Sequence, residues 1–234
     1  MPLDNLEDLY FPHGGKDAAA FSRASTFEPL IDGDAYFAAV RAAIDMLSDD
    51  RDACYIAGWS LSDSFKFQDG IELGYLLATK ALAGVDVRVI VWANSMALDA
   101  IKQLGNTSLG KLLAENTPAG PFSTIVLENV RAAERLRLTG NSALAGRVLL
   151  DWSGNRFSSH HMKFTVVAHG DALAGFVGLD YRQDRVGTPM HRARRDEPTP
   201  THEVGVRVTG AAAASALATF DTRWGEAATL SEAT

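Results

Sequence analysis

The chain has 234 residues, with 22 Lys and Arg against 29 Asp and Glu, a net charge of −7 and a pI near 5.3. That length suits one sizeable α/β domain and is short for two, and 47% hydrophobic with 22% charged residues excludes a disordered chain. The acidic balance counts against sequence-independent nucleic-acid binding, which usually needs a basic surface.

Residues 1–26 read as an irregular segment, broken by Pro12, Gly14 and Gly15. Their acidic opening shows no basic region followed by an apolar core, so no secretory signal is expected. No apolar stretch reaches the roughly 18 residues of a membrane span, and a cytoplasmic protein is the expectation. A first helix is expected after Asp32-Gly33-Asp34, with Asp34 capping it and Phe37, Val40, Ile44 and Leu47 on one apolar face. Tyr55 to Trp59 reads as a buried strand. Ile71 to Ala83 reads as a helix closed by Gly84. Val85, Val87, Val89 and Val91 alternate with Asp86, Arg88 and Ile90, which predicts a strand with one face largely buried.

Further along, Met96 to Leu113 predicts helix in two pieces divided at Gly105-Asn106, and Ser123 to Leu127 and Val148 to Trp152 predict strands. The stretch Gly187 to Thr201, rich in Arg and Pro, predicts an exposed loop. Its cluster His191, Arg192, Arg194 and Arg195 is either solvated or a phosphate-steering patch. Val204, Val206 and Val208 alternate again, and Leu217, Phe220 and Trp224 mark a last helix face. Strands alternating with helices argue for a layered α/β fold. The domain is expected to span 27–226, with 227–234 as a tail. Cys54 is the lone cysteine, which excludes a disulfide framework, and no metal-ligand motif is visible, so neither metal nor cofactor is expected.

The most informative segment is Ser158-Ser159-His160-His161-Met162-Lys163-Phe164-Thr165-Val166-Val167. Residues two apart in an extended strand share a face, so His161 and Lys163 present an imidazole and an ammonium together while Met162 and Phe164 point the other way. Such a pair suits a phosphate ester: the His attacks or donates a proton, and the Lys holds the anionic oxygens. The alternative is a polar strand end with two unrelated solvated side chains.

Together with Gly175-Phe176-Val177-Gly178-Leu179-Asp180 and Arg182-Gln183-Asp184-Arg185, this segment resembles one half of a phospholipase D superfamily protein, with its H-x-K-x4-D motif and following G-G/S-x-N/D turn. "FEPLIDGDAYFAAVRAAIDML", "ACYIAGWSLSD", "GVDVRVIVW" and "THEVGVRVTGAAAASALATFDTRW" extend the resemblance from Phe27 to Trp224 in the family's order. The resemblance implies an αβα-layered domain with a mixed β-sheet, and H-x-K on a strand near its middle. It also departs from the pattern. Ala168 stands where the family has Asp, and Asp171 takes that place only if Ala168 to Gly170 is an insertion. The glycine pair is reduced to Gly178, and there is one H-x-K where the family's site uses two.

By resemblance, His161 is the nucleophile that forms a phosphohistidine, and Lys163 neutralises a phosphate oxygen. Asp180 contacts the phosphate, orients the histidine or merely caps a turn. Arg185 binds phosphate or forms a structural salt bridge. Trp59 and Trp92 are core residues or walls for substrate, and His160 and His169 have no assigned role. Three hypotheses follow. The first is a phosphodiesterase or phosphatidyltransferase acting on a phospholipid, its second H-x-K coming from a homodimeric partner or a separate half. The others are a homodimeric nuclease, disfavoured by the acidic balance, and a catalytically inactive half-domain.

Overall fold

The computed structural model describes residues 24–94, 121–152, 160–187 and 201–232. The expected helices over Met96 to Leu113 and the basic cluster at His191 to Arg195 lie outside them. The sheet contains β1 (Phe27–Ile31), β2 (Ala53–Gly58), β3 (Asp86–Trp92), β4 (Val148–Asp151), β5 (Phe164–His169), β6 (Ala172–Val177) and β7 (Val204–Thr209). The helices are α1 (Asp32–Asp45), α2 (Leu73–Leu82), α3 (Pro121–Ser142) and α4 (Ala211–Glu232), with a 3-10 turn at Gln183–Arg185.

The seven strands run in the order β1-β7-β6-β5-β2-β3-β4. β2, β3 and β4 are parallel, and the remaining pairings are antiparallel. The sheet is therefore mixed, and β5, which H-x-K leads into, is its central strand. One core joins α1, α2 and α3 to one face of the sheet, through Phe37, Leu77, Val89 and Leu136 among others. A second joins α4 to the opposite face, through Phe220, Phe164, Val166 and Ile90. The result is the αβα layering expected from the alternation of elements.

Local patterns explain most elements. Phe37, Val40, Ile44 and Leu47 are all buried, and burying each contributes on the order of 1.5–3 kcal/mol. Val85, Val87, Val89 and Val91 are fully buried, as the alternation predicted. Cys54 lies inside the core, and burial pushes its thiol up to about 12.

Two expectations are corrected. Asp34 does not cap α1. The N-cap is Ile31, and no side chain caps it. Asp32 instead turns the chain in a left-handed conformation (φ 63°), donates its N–H to Glu203 O and pairs through its carboxylate with His202. The Asp34 N–H donates to Gly187 O, so a distant loop satisfies a first-turn donor that a local cap would otherwise serve. The second correction concerns Ser123 to Leu127, which is helical, part of α3. Its β-branched residues favour a strand only weakly. The longer pattern Val126, Val130, Ala133 and Leu136, all buried, has the helical period and prevails. α3 breaks at Thr139–Asn141, where Gly140 and Asn141 are left-handed.

Candidate active site

All the side chains that matter gather at one end of the sheet. Trp59 follows β2, Trp92 ends β3, Asp151 ends β4, His161 and Lys163 precede β5, and Asp180 follows β6. The carboxyl ends of parallel strands are where open α/β sheets commonly hold ligands.

His161 and Lys163 occupy the entry to β5 and not, as the spacing predicted, the strand itself, because pairing with β2 begins at Phe164, the residue after Lys163. They nonetheless share a side. Lys163 Nζ lies 2.6 Å from His161 Nε2 and 3.3 Å from Nδ1. Met162 and Phe164 pack the other way, into the α4 core. The Lys163 carbonyl accepts the Gly178 N–H at 2.9 Å, which ties the motif to the turn after β6. Gly178 adopts φ 131°, and a Cβ there would stand 3.0 Å from Val204 O, so this position requires glycine.

Asp180 comes into the site from that turn. Its side chain is fully buried; Oδ1 accepts the Ser60 N–H at 2.9 Å, and Oδ2 lies 3.8 Å from Lys163 Nζ. Burial pushes its carboxyl up to about 6, against the opposing pull of the Ser60 N–H and Lys163. His161 is held below its ordinary range by desolvation, then by Lys163 and His160. Desolvation likewise lowers Lys163, which Asp180 partly offsets. These shifts favour a neutral imidazole whose Nε2 lone pair accepts a hydrogen bond from the Lys163 ammonium.

Trp59 packs beside the pair. Its ring meets the His161 ring edge-on at 4.8 Å, with Lys163 Nζ 5.2 Å from its centroid, and it stacks on Trp92 at 6.1 Å. Among the described residues, the buried side-chain polar atoms without a hydrogen-bond partner are Trp59 Nε1, Trp92 Nε1 and Asp180 Oδ2. Each such atom typically costs about 1–3 kcal/mol, and all three belong to residues at this end of the sheet.

Arg185 stands nearby but is engaged. Its guanidinium pairs with Glu203 and reaches Thr201 Oγ1 at 3.0 Å. Its own backbone is seated against α1, where a Cβ on Gly33 would fall 1.7 Å from Arg185 O. Asp171 is an exposed turn residue. β5 runs without interruption to His169, with Ala168 opposite Ala53, and Asp171 lies beyond the strand in the turn to β6. A buried carboxylate at that far end comes from Asp52, which binds His169 at 2.9 Å and the Ser48 N–H at 2.7 Å.

Two contributors had no sequence signal. Asn129 on α3 is fully buried; its amide donates to Trp59 O and Trp92 O, each at 2.8 Å, and its Oδ1 accepts the Leu61 N–H at 2.8 Å. It clamps the ends of β2 and β3 under the two tryptophans. The second is Asp151, buried at the end of β4 and bonded to both His160 and Arg223.

No family model matches the chain. It is 24% identical to phospholipase D alpha 2 of Arabidopsis thaliana over 221 residues, covering 77% of this chain and 26% of that protein. It is 26% identical to phospholipase D alpha 1 of Oryza sativa subsp. japonica over 239 residues, covering 84% of this chain and 28% of that protein. Over most of its length the chain is thus similar in sequence to phospholipase D proteins. It spans about a quarter of the length of these curated relatives. Among solved structures, it aligns with Nuc from Salmonella typhimurium at 14% identity and TM-score 0.40, covering 86% of this chain and 95% of that one. It aligns with NucT from Helicobacter pylori at 13% identity and TM-score 0.46, covering 86% and 97%. In this chain the H-x-K pair, the Gly178 turn and Asp180 form one compact group at the sheet end. Among the described residues, no helix is long and apolar enough to cross a membrane.

Proposed function

We propose that this chain supplies one half-site of a phospholipase D-type phosphodiesterase or phosphatidyltransferase acting on a phospholipid through a phosphohistidine. The observation that carries the proposal is the 2.6 Å contact between Lys163 Nζ and His161 Nε2, backed by Asp180. A phosphate oxygen competes with the neutral imidazole for the Lys163 ammonium and, being anionic, wins. Substrate binding therefore transfers Lys163 to the phosphate and frees the Nε2 lone pair for in-line attack on phosphorus. The N–P bond forms as the P–O bond to the leaving alcohol breaks, and the leaving oxygen takes a proton from an acid on the far side of phosphorus. Water or a second alcohol then attacks the phosphohistidine, gives its proton back to that group and restores His161.

One His161 cannot occupy both sides of phosphorus, so the acid comes from a second H-x-K, most simply from a second copy of this chain in a C2 pair. Trp59 forms the substrate wall, and Arg185 steers the phosphate from beyond its pair with Glu203. The test follows release of the head group from phosphatidylcholine vesicles, alongside plasmid nicking, while intact chains are mixed with His161→Asn chains. A shared site loses activity more steeply than the mutant fraction rises. A proportional decline rejects the shared site, activity surviving in pure His161→Asn rejects the nucleophile, and nicking without head-group release rejects the phospholipid in favour of a nuclease.

A further inference from the structure

His160 is drawn away from its neighbour. Its ring is almost wholly buried, with side-chain exposure of 7%. Nδ1 meets Asp151 Oδ2, and Nε2 lies 3.2 Å from Gly58 O. Gly58 ends β2 and Asp151 ends β4, so the ring bridges two strand ends across the end of β3, which separates them in the sheet. Asp151 Oδ2 also accepts Arg223 Nε at 3.1 Å, and Arg223 in turn pairs with Glu226 at 2.6 Å, both on α4. Three otherwise separate elements thus converge on the residue immediately before His161. β-Strand pairing reaches the motif only at Phe164, so the backbone of His161 depends on such anchors.

We infer that His160 is a positioning residue, locked by Asp151 and the Gly58 carbonyl, that fixes the backbone and ring of His161 against Lys163 and Trp59. Buried hydrogen bonds of this kind set the orientation of a neighbouring reactive ring, and losing one commonly costs about 10–100-fold in activity where the site is a metal centre; a comparable loss is expected here. His160 also adds to the depression of His161, after desolvation and Lys163. The charged groups that bear on this arrangement are Lys163 beside His161, Asp180, Arg185 and Glu203 around Lys163, and Asp151 and Arg223 around His160. The inference rests on the proposed role of His161, and the experiment separates the two.

The ring protons of His160 and His161 are followed by NMR against pH in the full chain and in His160→Gln, with diester hydrolysis measured on the same samples. The folded wild type should show a strongly downfield, slowly exchanging Nδ1–H on His160, a bond that needs no variant to detect. In His160→Gln the His161 titration should move to higher pH, and kcat should fall roughly 10–100-fold with KM little changed. Absence of the downfield proton in folded wild type overturns the inference. So does a folded variant with unchanged His161 titration and unchanged kcat. A shifted titration in a chain that cleaves no diester leaves the positioning role standing and removes the proposed function instead.

Discussion

The carboxylate oxygen Oδ2 of Asp180 stands 3.8 Å from the Lys163 ammonium, buried and without a hydrogen-bond partner. A charge so placed is poorly solvated, and its carboxyl is pushed up to about 6. The folded chain therefore binds this proton more tightly than the unfolded chain, whose carboxyl titrates near the ordinary value of 3.8. Stability from this group is full below the unfolded value and is lost as pH rises through about 6.

Replacing Asp180 by Asn removes that loss. The variant should be more stable than the parent at alkaline pH by about 3 kcal/mol, and the difference should vanish at acid pH, while turnover drops. Urea unfolding at several pH values checks it; a variant less stable than the parent at every pH would refute the assignment of Asp180 as a strained site group.

Lys163→Met should cost roughly 10²–10³-fold in kcat, because a preorganised charge aimed at the transferring phosphoryl is lost. Since Lys163 is one cause of the depression of His161, the His161 titration should also move upward. NMR titration and steady-state kinetics read the two effects separately. Unchanged kcat with a shifted titration would place Lys163 in electrostatic tuning alone.

Arg185 is paired with Glu203, with side chains 24% and 27% exposed. If the pair were only structural, Arg185→Gln and Glu203→Gln would show a coupling of about 1 kcal/mol or less in stability and leave KM alone. Phosphate steering predicts in addition a several-fold rise in KM for Arg185→Gln. A double-mutant cycle measured by both unfolding and kinetics distinguishes them.

Asn129→Leu leaves the Trp59 and Trp92 carbonyls and the Leu61 N–H without partners. Buried groups stripped in this way cost about 3 kcal/mol or more together. The urea midpoint should fall accordingly with the slope unchanged; a loss under 1 kcal/mol would mean that the strand ends hold themselves.

Much of this architecture is written in local pattern. The helical spacing of Phe37, Val40, Ile44 and Leu47 and the alternation of Val85 through Val91 determined α1 and β3, because periods of 3.6 and 2 are properties of the backbone itself. The same rule of two puts His161 and Lys163 on one side without any tertiary contact, and the order of Gly178 and Asp180 after them carries the resemblance to the phospholipase D superfamily. Where the local signal was short, as at Ser123 to Leu127, β propensity misled, since burial against the sheet selected the helix.

Only the folded chain decided the rest. Trp59 lies 102 positions before His161 in the sequence, Asn129 lies 70 beyond Trp59, and Asp151 meets Arg223 across 72. No periodicity reaches so far. Their meeting follows from the strand order, which brings the ends of β2, β3 and β4 beside the entry to β5. The charge state of the site was equally invisible in one dimension: the letters at Asp180 and Arg185 do not tell that burial raises one and Glu203 engages the other. Desolvation and pairing depend on what surrounds a group in space, and that is set by packing, not by neighbours along the chain.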